Sequence, residues 1–89
     1  MEPISVNAFV YVLELQDGYY YVGVTYNLNQ RWAQHQMGQG ANWTKLHRPV
    51  RIVEVITEGC SRAKEDEITQ RYMDIYGRDK VRGGSWCRA

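Results

Sequence analysis

Two runs of strand-forming residues flank a single Asp-Gly step, and that arrangement constrains the first third of this 89-residue chain more than any other feature. Residues 8–16 (Ala-Phe-Val-Tyr-Val-Leu-Glu-Leu-Gln) are largely β-branched and aromatic, contain no helix breaker and read as a buried strand. Asp17-Gly18 supplies a turn, and residues 19–25 read as the second strand of a hairpin. From Asn27 the period becomes helical: Leu28, Trp32, His35 and Gln36 share a stripe, Asn27 caps its start and Gly38 ends it. Gly38-Gln39-Gly40 punctuates, and residues 41–46 suit a short helical turn. Pro49 precedes a third strand over residues 50–56, closed by Gly59. Ser61 is placed to cap a helix that runs to about Tyr76 and stops at Gly77. The remaining tail, with Gly83-Gly84, is expected to be extended or looped. The order predicts an α+β domain with a three-stranded antiparallel sheet flanked by helices, β-β-α-(α)-β-α. The chain is expected to be one domain, residues 1–89, with a core over about 8–77 and a basic tail over 78–89.

Composition closes off other classes. At 44% hydrophobic and 24% charged residues, with no low-complexity tract, the chain is neither disordered nor collagen-like, and its length leaves no room for a two-domain enzyme. Two cysteines do not make a disulfide framework. No apolar run approaches the roughly 18 residues of a membrane span, and residues 1–7 lack the features of a signal peptide. The expected setting is intracellular, in a reducing cytoplasm or nucleus. A net charge of +1 does not by itself point to nucleic acid, but its distribution is uneven. Residues 1–40 hold one base (Arg31) against three acids, whereas residues 41–89 hold ten bases against seven acids.

The hairpin and the helix after it resemble the GIY-YIG nuclease family. The first signature survives as Val10-Tyr11, with Phe9 in place of the leading glycine, and the second as Tyr21-Val22-Gly23. Arg31 follows ten positions after Tyr21 and His35 four later, matching the family's helix motif. Ala41-Asn42-Trp43-Thr44-Lys45 followed by Arg48-Pro49, and Val81-Arg82-Gly83-Gly84-Ser85-Trp86, look like a subgroup of small single-domain members. Two departures stand out: Val24 occupies a place where many members carry lysine, and Arg78-Asp79-Lys80 follows the last helix where many carry asparagine.

The residues themselves are testable against that resemblance. A two-residue turn at Asp17-Gly18 would pair Tyr11 with Val24 and send Tyr11 and Tyr21 to opposite faces of the sheet. A three-residue loop Gln16-Asp17-Gly18, with Gly18 left-handed, would pair Tyr11 with Gly23 and place both phenols on one face. Arg31 and His35 lie one turn apart on the stripe of Leu28 and Trp32, aimed at the sheet. A guanidinium aimed there suits a phosphate, although an arginine snorkelling past Trp32 beside a structural histidine would look the same. On the last helix Ile68, Tyr72, Ile75 and Tyr76 define the apolar stripe. At about 100° per residue Glu65 falls within it, Asp66 well off it and Glu67 on the far side, so Tyr11, Tyr21, Arg31, His35 and Glu65 are expected to converge on one concave face of the sheet.

The resemblance implies a DNA endonuclease in which Glu65 holds one divalent ion, Mg²⁺ or Mn²⁺. It also implies Tyr11 as activator of the attacking water, with Tyr21 or His35 as proton relay and Arg31 both contacting phosphate and lowering the phenol's pKa. Lys45, His47, Arg48, Arg78, Lys80 and Arg82 are the expected DNA contacts, and a targeting protein or domain supplied in trans is a further expected partner. Trp43 and Trp86 are better suited to packing than to stacking on bases, and Cys60 and Cys87 read as buried or free thiols. A non-catalytic nucleic-acid-binding or protein-interaction module, or a catalytic subunit that needs a partner, fits the same residues.

Overall fold

The computed structural model describes residues 8–86. Strands β1 (Phe9–Leu15) and β2 (Tyr20–Thr25) form the hairpin, followed by helices α1 (Leu28–Gln36) and α2 (Asn42–Leu46). Strand β3 (Pro49–Ile56), helix α3 (Arg62–Tyr76) and strand β4 (Val81–Gly83) complete the order. The sheet runs β3-β1-β2-β4, with β1 antiparallel to both neighbours and β4 parallel to β2.

Strand β1 lies in the middle and is covered on both sides, which explains its near-continuous apolar sequence. Tyr11, Leu13 and Leu15 face one layer with Trp43, Leu28 and Trp32, the side of α1 and α2. Ala8, Val10 and Val12 face the other with Val22, Ile68 and Tyr72, the side of α3. The hairpin takes the longer of the two connections: Gln16–Gly18 forms a single 3-10 turn in which both Asp17 (φ 65°) and Gly18 (φ 82°) are left-handed. The Leu15 N–H donates to the Tyr19 carbonyl at 2.7 Å, and the register pairs Leu13 with Tyr21 and Tyr11 with Gly23. Both phenols therefore lie on one face. Helix starts follow the caps: Asn27 Oδ1 accepts from the Gln30 N–H and Ser61 Oγ from the Lys64 N–H, each at 3.1 Å.

The sheet differs from the expected three antiparallel strands. Among the described residues it has four, and the fourth makes it mixed. The tail turns back after the 3-10 segment Arg78–Lys80 and buries Val81 completely. Three residues are too few to show an alternation, so β4 was hidden behind its glycines. Gly83 is required there because a Cβ would run into the Val22 carbonyl oxygen. Ordering three residues costs about 3–6 kcal/mol, and burying one valine returns about 1.5–3. The balance comes from the ladder to β2 and from Asp66, whose Oδ1 and Oδ2 accept from the Ser85 N–H and hydroxyl, each at 2.8 Å. Cys60 is buried and donates to the Ile56 carbonyl at 3.0 Å; Cys87 lies outside the described residues.

Candidate active site

Register, helix phase and one glycine assemble the first part of the site. Tyr11 crosses the hairpin towards Gly23, and a Cβ at position 23 would stand 2.5 Å from the Tyr11 hydroxyl oxygen and 2.6 Å from its Cζ. Any side chain there would occupy the phenol's place. The hydroxyl lies 2.8 Å from His35 Nε2, and His35 Nδ1 lies 3.0 Å from Thr44 Oγ1, which donates to the Ala41 carbonyl at 2.8 Å. Tyr21 completes a three-ring cluster, its ring 6.3 Å from that of Tyr11 and 5.3 Å from that of His35.

Electrostatics keep Tyr11 and His35 uncharged at rest. Burial, aided by the Arg31 charge, pulls the His35 pKa down to about 4, so the imidazole is neutral at pH 7. Burial first, and then the Tyr21 phenol, pushes the Tyr11 pKa well above its ordinary value. Arg31 approaches both phenol oxygens and donates to Gln34 Oε1 at 2.9 Å. Its charge pulls the Tyr11 pKa down, as expected of it, but burial outweighs the pull and leaves a phenol rather than a phenolate.

Glu65 approaches from elsewhere. Four of the five expected residues (Tyr11, Tyr21, Arg31 and His35) share the α1 side of the sheet, whereas α3 packs on the opposite side. Helices α1 and α3 sandwich the sheet, but of the stripe expected on α3 only Ile68 and Tyr72 pack on it; Ile75 and Tyr76 are exposed, and Thr69 and Met73 are buried in their place. Helical phase alone cannot show which side each one takes. Strand β4 stops at Gly83, opposite Val22, and past that point no described strand flanks the outer edge of β2. Beside this free edge lies a cavity of about 360 Å³ lined by Val24, Thr25, Tyr26, Arg62, Glu65 and Gly84. The Glu65 charge adds to the rise in the Tyr11 pKa. Burial raises the Glu65 pKa, and a hydrogen bond from the Gly84 N–H opposes that rise. The three neighbouring carboxylates divide by phase: Glu65 lines the cavity, Asp66 holds the tail, and Glu67 is exposed with Lys64 Nζ at 3.3 Å.

Mg²⁺ and Mn²⁺ take oxygen donors, and Mg²⁺ keeps several of its waters, so one carboxylate in a cavity with room for water and phosphate suits them. Glu65 fits that description. Among the described residues no three His, Cys, Asp or Glu side chains gather into a closed cage.

The expected DNA contacts divide into two groups. Lys45 and Arg48 line a second cavity of about 260 Å³ together with His35 and Thr44. His47 stacks on Tyr19 at 3.6 Å, and Lys80 Nζ lies 4.4 Å from the same ring. The Arg82 guanidinium lies 4.6 Å from the Trp43 ring and donates to the Arg78 and Val81 carbonyls. Arg78 lies 6.0 Å from the Trp86 ring. Trp43 is 6% exposed and donates its indole N–H to the Tyr20 carbonyl, which makes it a packing residue. Thr44, Asp66 and Arg62 were not legible as site residues, because tertiary packing sets their neighbours; the Gly83-Gly84-Ser85 donors were the one hint of an acceptor such as Asp66.

The family model described as GIY-YIG catalytic domain matches residues 7–72 of the chain. A UPF0213 protein of Cupriavidus pinatubonensis is 35% identical over 66 residues, 73% of each protein. UPF0213 proteins of Streptococcus pneumoniae and Staphylococcus aureus are each 44% identical, over 46 and 45 residues. These matches cover 52% and 51% of this chain, but only 46% and 55% of those relatives. No solved structure matches it significantly.

Proposed function

The chain belongs to the GIY-YIG family, and from that premise we propose that it is a metal-dependent endonuclease hydrolysing phosphodiester bonds in DNA. The observation that carries the reading is the Tyr11 hydroxyl, seated over the Gly23 backbone and hydrogen-bonded at 2.8 Å to a neutral His35. A phenol with a raised pKa does not ionise in advance, so it acts as a base only if its own proton leaves as it accepts another. The attacking water gives a proton to the Tyr11 oxygen while the Tyr11 proton passes to His35 Nε2. The oxygen of the water then forms a bond to phosphorus, and the bond from phosphorus to the leaving oxygen breaks.

Arg31, beside both phenol oxygens, offers its guanidinium to a non-bridging phosphate oxygen in a partly dry site, where such contacts are strongest. Glu65 would hold the Mg²⁺ or Mn²⁺, which when bound stabilises charge on the phosphate and the leaving oxygen. Lys45 and Arg48, together with His47, Arg78, Lys80 and Arg82, would track the DNA backbone. The deciding experiment is plasmid nicking with Mn²⁺ or Mg²⁺ against EDTA, using wild type, Glu65→Gln and Glu67→Gln. Loss of metal-dependent nicking in Glu65→Gln, with Glu67→Gln unaffected, is expected. Equal activity in wild type and Glu65→Gln would overturn the assignment.

A further inference from the structure

We propose that Thr44 is a positioning residue that fixes His35 in its Nδ1–H tautomer and so leaves Nε2 bare to receive the Tyr11 proton. The inference rests on the proposed use of Tyr11 as a base, but its central claim concerns the resting protein.

The number of hydrogens available sets the direction of each contact. The Thr44 hydroxyl has one, and the Ala41 carbonyl oxygen 2.8 Å away can only accept. If the hydroxyl hydrogen pointed to His35 instead, two oxygen lone pairs would face each other at 2.8 Å with nothing between them. The hydrogen therefore lies on the Ala41 side, and Oγ1 meets His35 Nδ1, 3.0 Å away, with a lone pair. Nδ1 must bring the hydrogen to that contact. A neutral imidazole carries only one, so Nε2 is unprotonated, and the 2.8 Å contact is a donation from the Tyr11 hydroxyl. The chain thus runs in one direction, Tyr11 O–H to Nε2, Nδ1–H to Oγ1 and Oγ1–H to the Ala41 carbonyl.

Two features hold its far end in place. The Ala41 carbonyl also accepts the Thr44 and Lys45 N–H groups at 3.1 and 3.2 Å, which fixes it in the first turn of α2. Gly40 brings bare backbone against the ring, where a Cβ would collide with His35 Nδ1 and stand 2.7 Å from Cε1. When the Tyr11 proton arrives at Nε2, the resulting imidazolium already has an acceptor at Nδ1. In the opposite tautomer Nε2 would carry a hydrogen and Tyr11 would have no base to give its proton to.

The test reads the tautomer directly. The chain holds two histidines, so long-range ¹H–¹⁵N spectra of uniformly ¹⁵N-labelled protein at pH 7 resolve both rings, and His47→Gln identifies His35. Wild type is expected to show the proton on Nδ1. Thr44→Val, which keeps the shape and removes the acceptor, should move His35 to a mixture or to the Nε2–H form, and Thr44→Ser should restore it. In the nicking assay Thr44→Val should lower kcat about tenfold, the effect of one lost hydrogen bond, with KM unchanged and recovery in Thr44→Ser. An Nε2–H tautomer in wild type, or an Nδ1–H tautomer that persists in folded Thr44→Val, overturns the proposal. A protein that shows the expected tautomers and nicks no DNA supports the Thr44 assignment and refutes the nuclease reading alone.

Discussion

Lowering the pH from 7 to 4 should unfold this protein more easily, and one buried ring should account for much of the loss. His35 is 1% exposed, its pKa is held at about 4, and in the unfolded chain it returns to about 6.5. Because the folded value is the lower, the unfolded chain binds the extra proton between these two pH values. The stabilisation is fully present above about pH 6.5, falls as the pH drops, and is exhausted below about pH 4. A gap of about 2.5 in pKa, at about 1.36 kcal/mol each, sets the loss at about 3 kcal/mol. Glu65 works in the opposite sense, since its pKa is raised by burial. The measurement is therefore a difference: urea-unfolding free energies at intervals from pH 7 to pH 4 for wild type and for His35→Gln, which cannot titrate there. The gap between the two curves should shrink by about 3 kcal/mol towards pH 4. Parallel curves would show that His35 takes up its proton in the folded state as readily as in the unfolded one, and the neutral relay would fall with that result.

Other consequences are simpler to read. Gly23→Ala places a carbon 2.5 Å from the Tyr11 hydroxyl and should cost about 2–4 kcal/mol in urea unfolding, from overpacking plus the lost bond to His35; a change below about 0.5 kcal/mol would show that Tyr11 moves freely. Asp66→Ala should increase amide hydrogen exchange at Val81 and Gly83 while leaving β1 protected, because its carboxylate holds the turn after β4. DNA binding should weaken steeply with salt, at about 0.9 in log–log slope per phosphate neutralised, and should show little preference for sequence, since both long helices are packed against the sheet. Tight, salt-insensitive binding to one duplex sequence would contradict that.

Local chemistry was legible in the sequence, and long-range placement was not. The caps at Asn27 and Ser61 and the inward phase of Arg31, His35 and Glu65 follow from periods and capping rules that act within a few residues. Turn rules allowed two loops at Gly18, and only the folded register selects the one that pairs Tyr11 with Gly23. The side of the sheet taken by α3 does not follow, because an apolar stripe fits either face. Strand β4 was unreadable for a related reason: Val81 is the one apolar residue in a three-residue parallel strand, and its neighbours Arg82 and Gly83 read as loop. The fall in the Tyr11 pKa expected from Arg31 failed because it counted a charge and not the burial around it, which only the packed structure reveals.

The turn after β4 makes the geometry of Glu65 depend on residues that reach it last. The hairpin, α1 and α2 hold Tyr11, Tyr21, Arg31, His35 and Thr44 within the first half of the chain, and α3 supplies Glu65 soon after. The N–H that the Glu65 carboxylate accepts belongs to Gly84, nineteen positions later, and the turn bearing it is held by Asp66 beside Glu65 itself. A chain cut after residue 72, where the family match ends, keeps Tyr11, Tyr21, Arg31, His35 and Glu65 but loses the Gly84 N–H that the Glu65 carboxylate accepts. The acid is set in place by backbone from the far end of the molecule, so its orientation reports that the chain has closed.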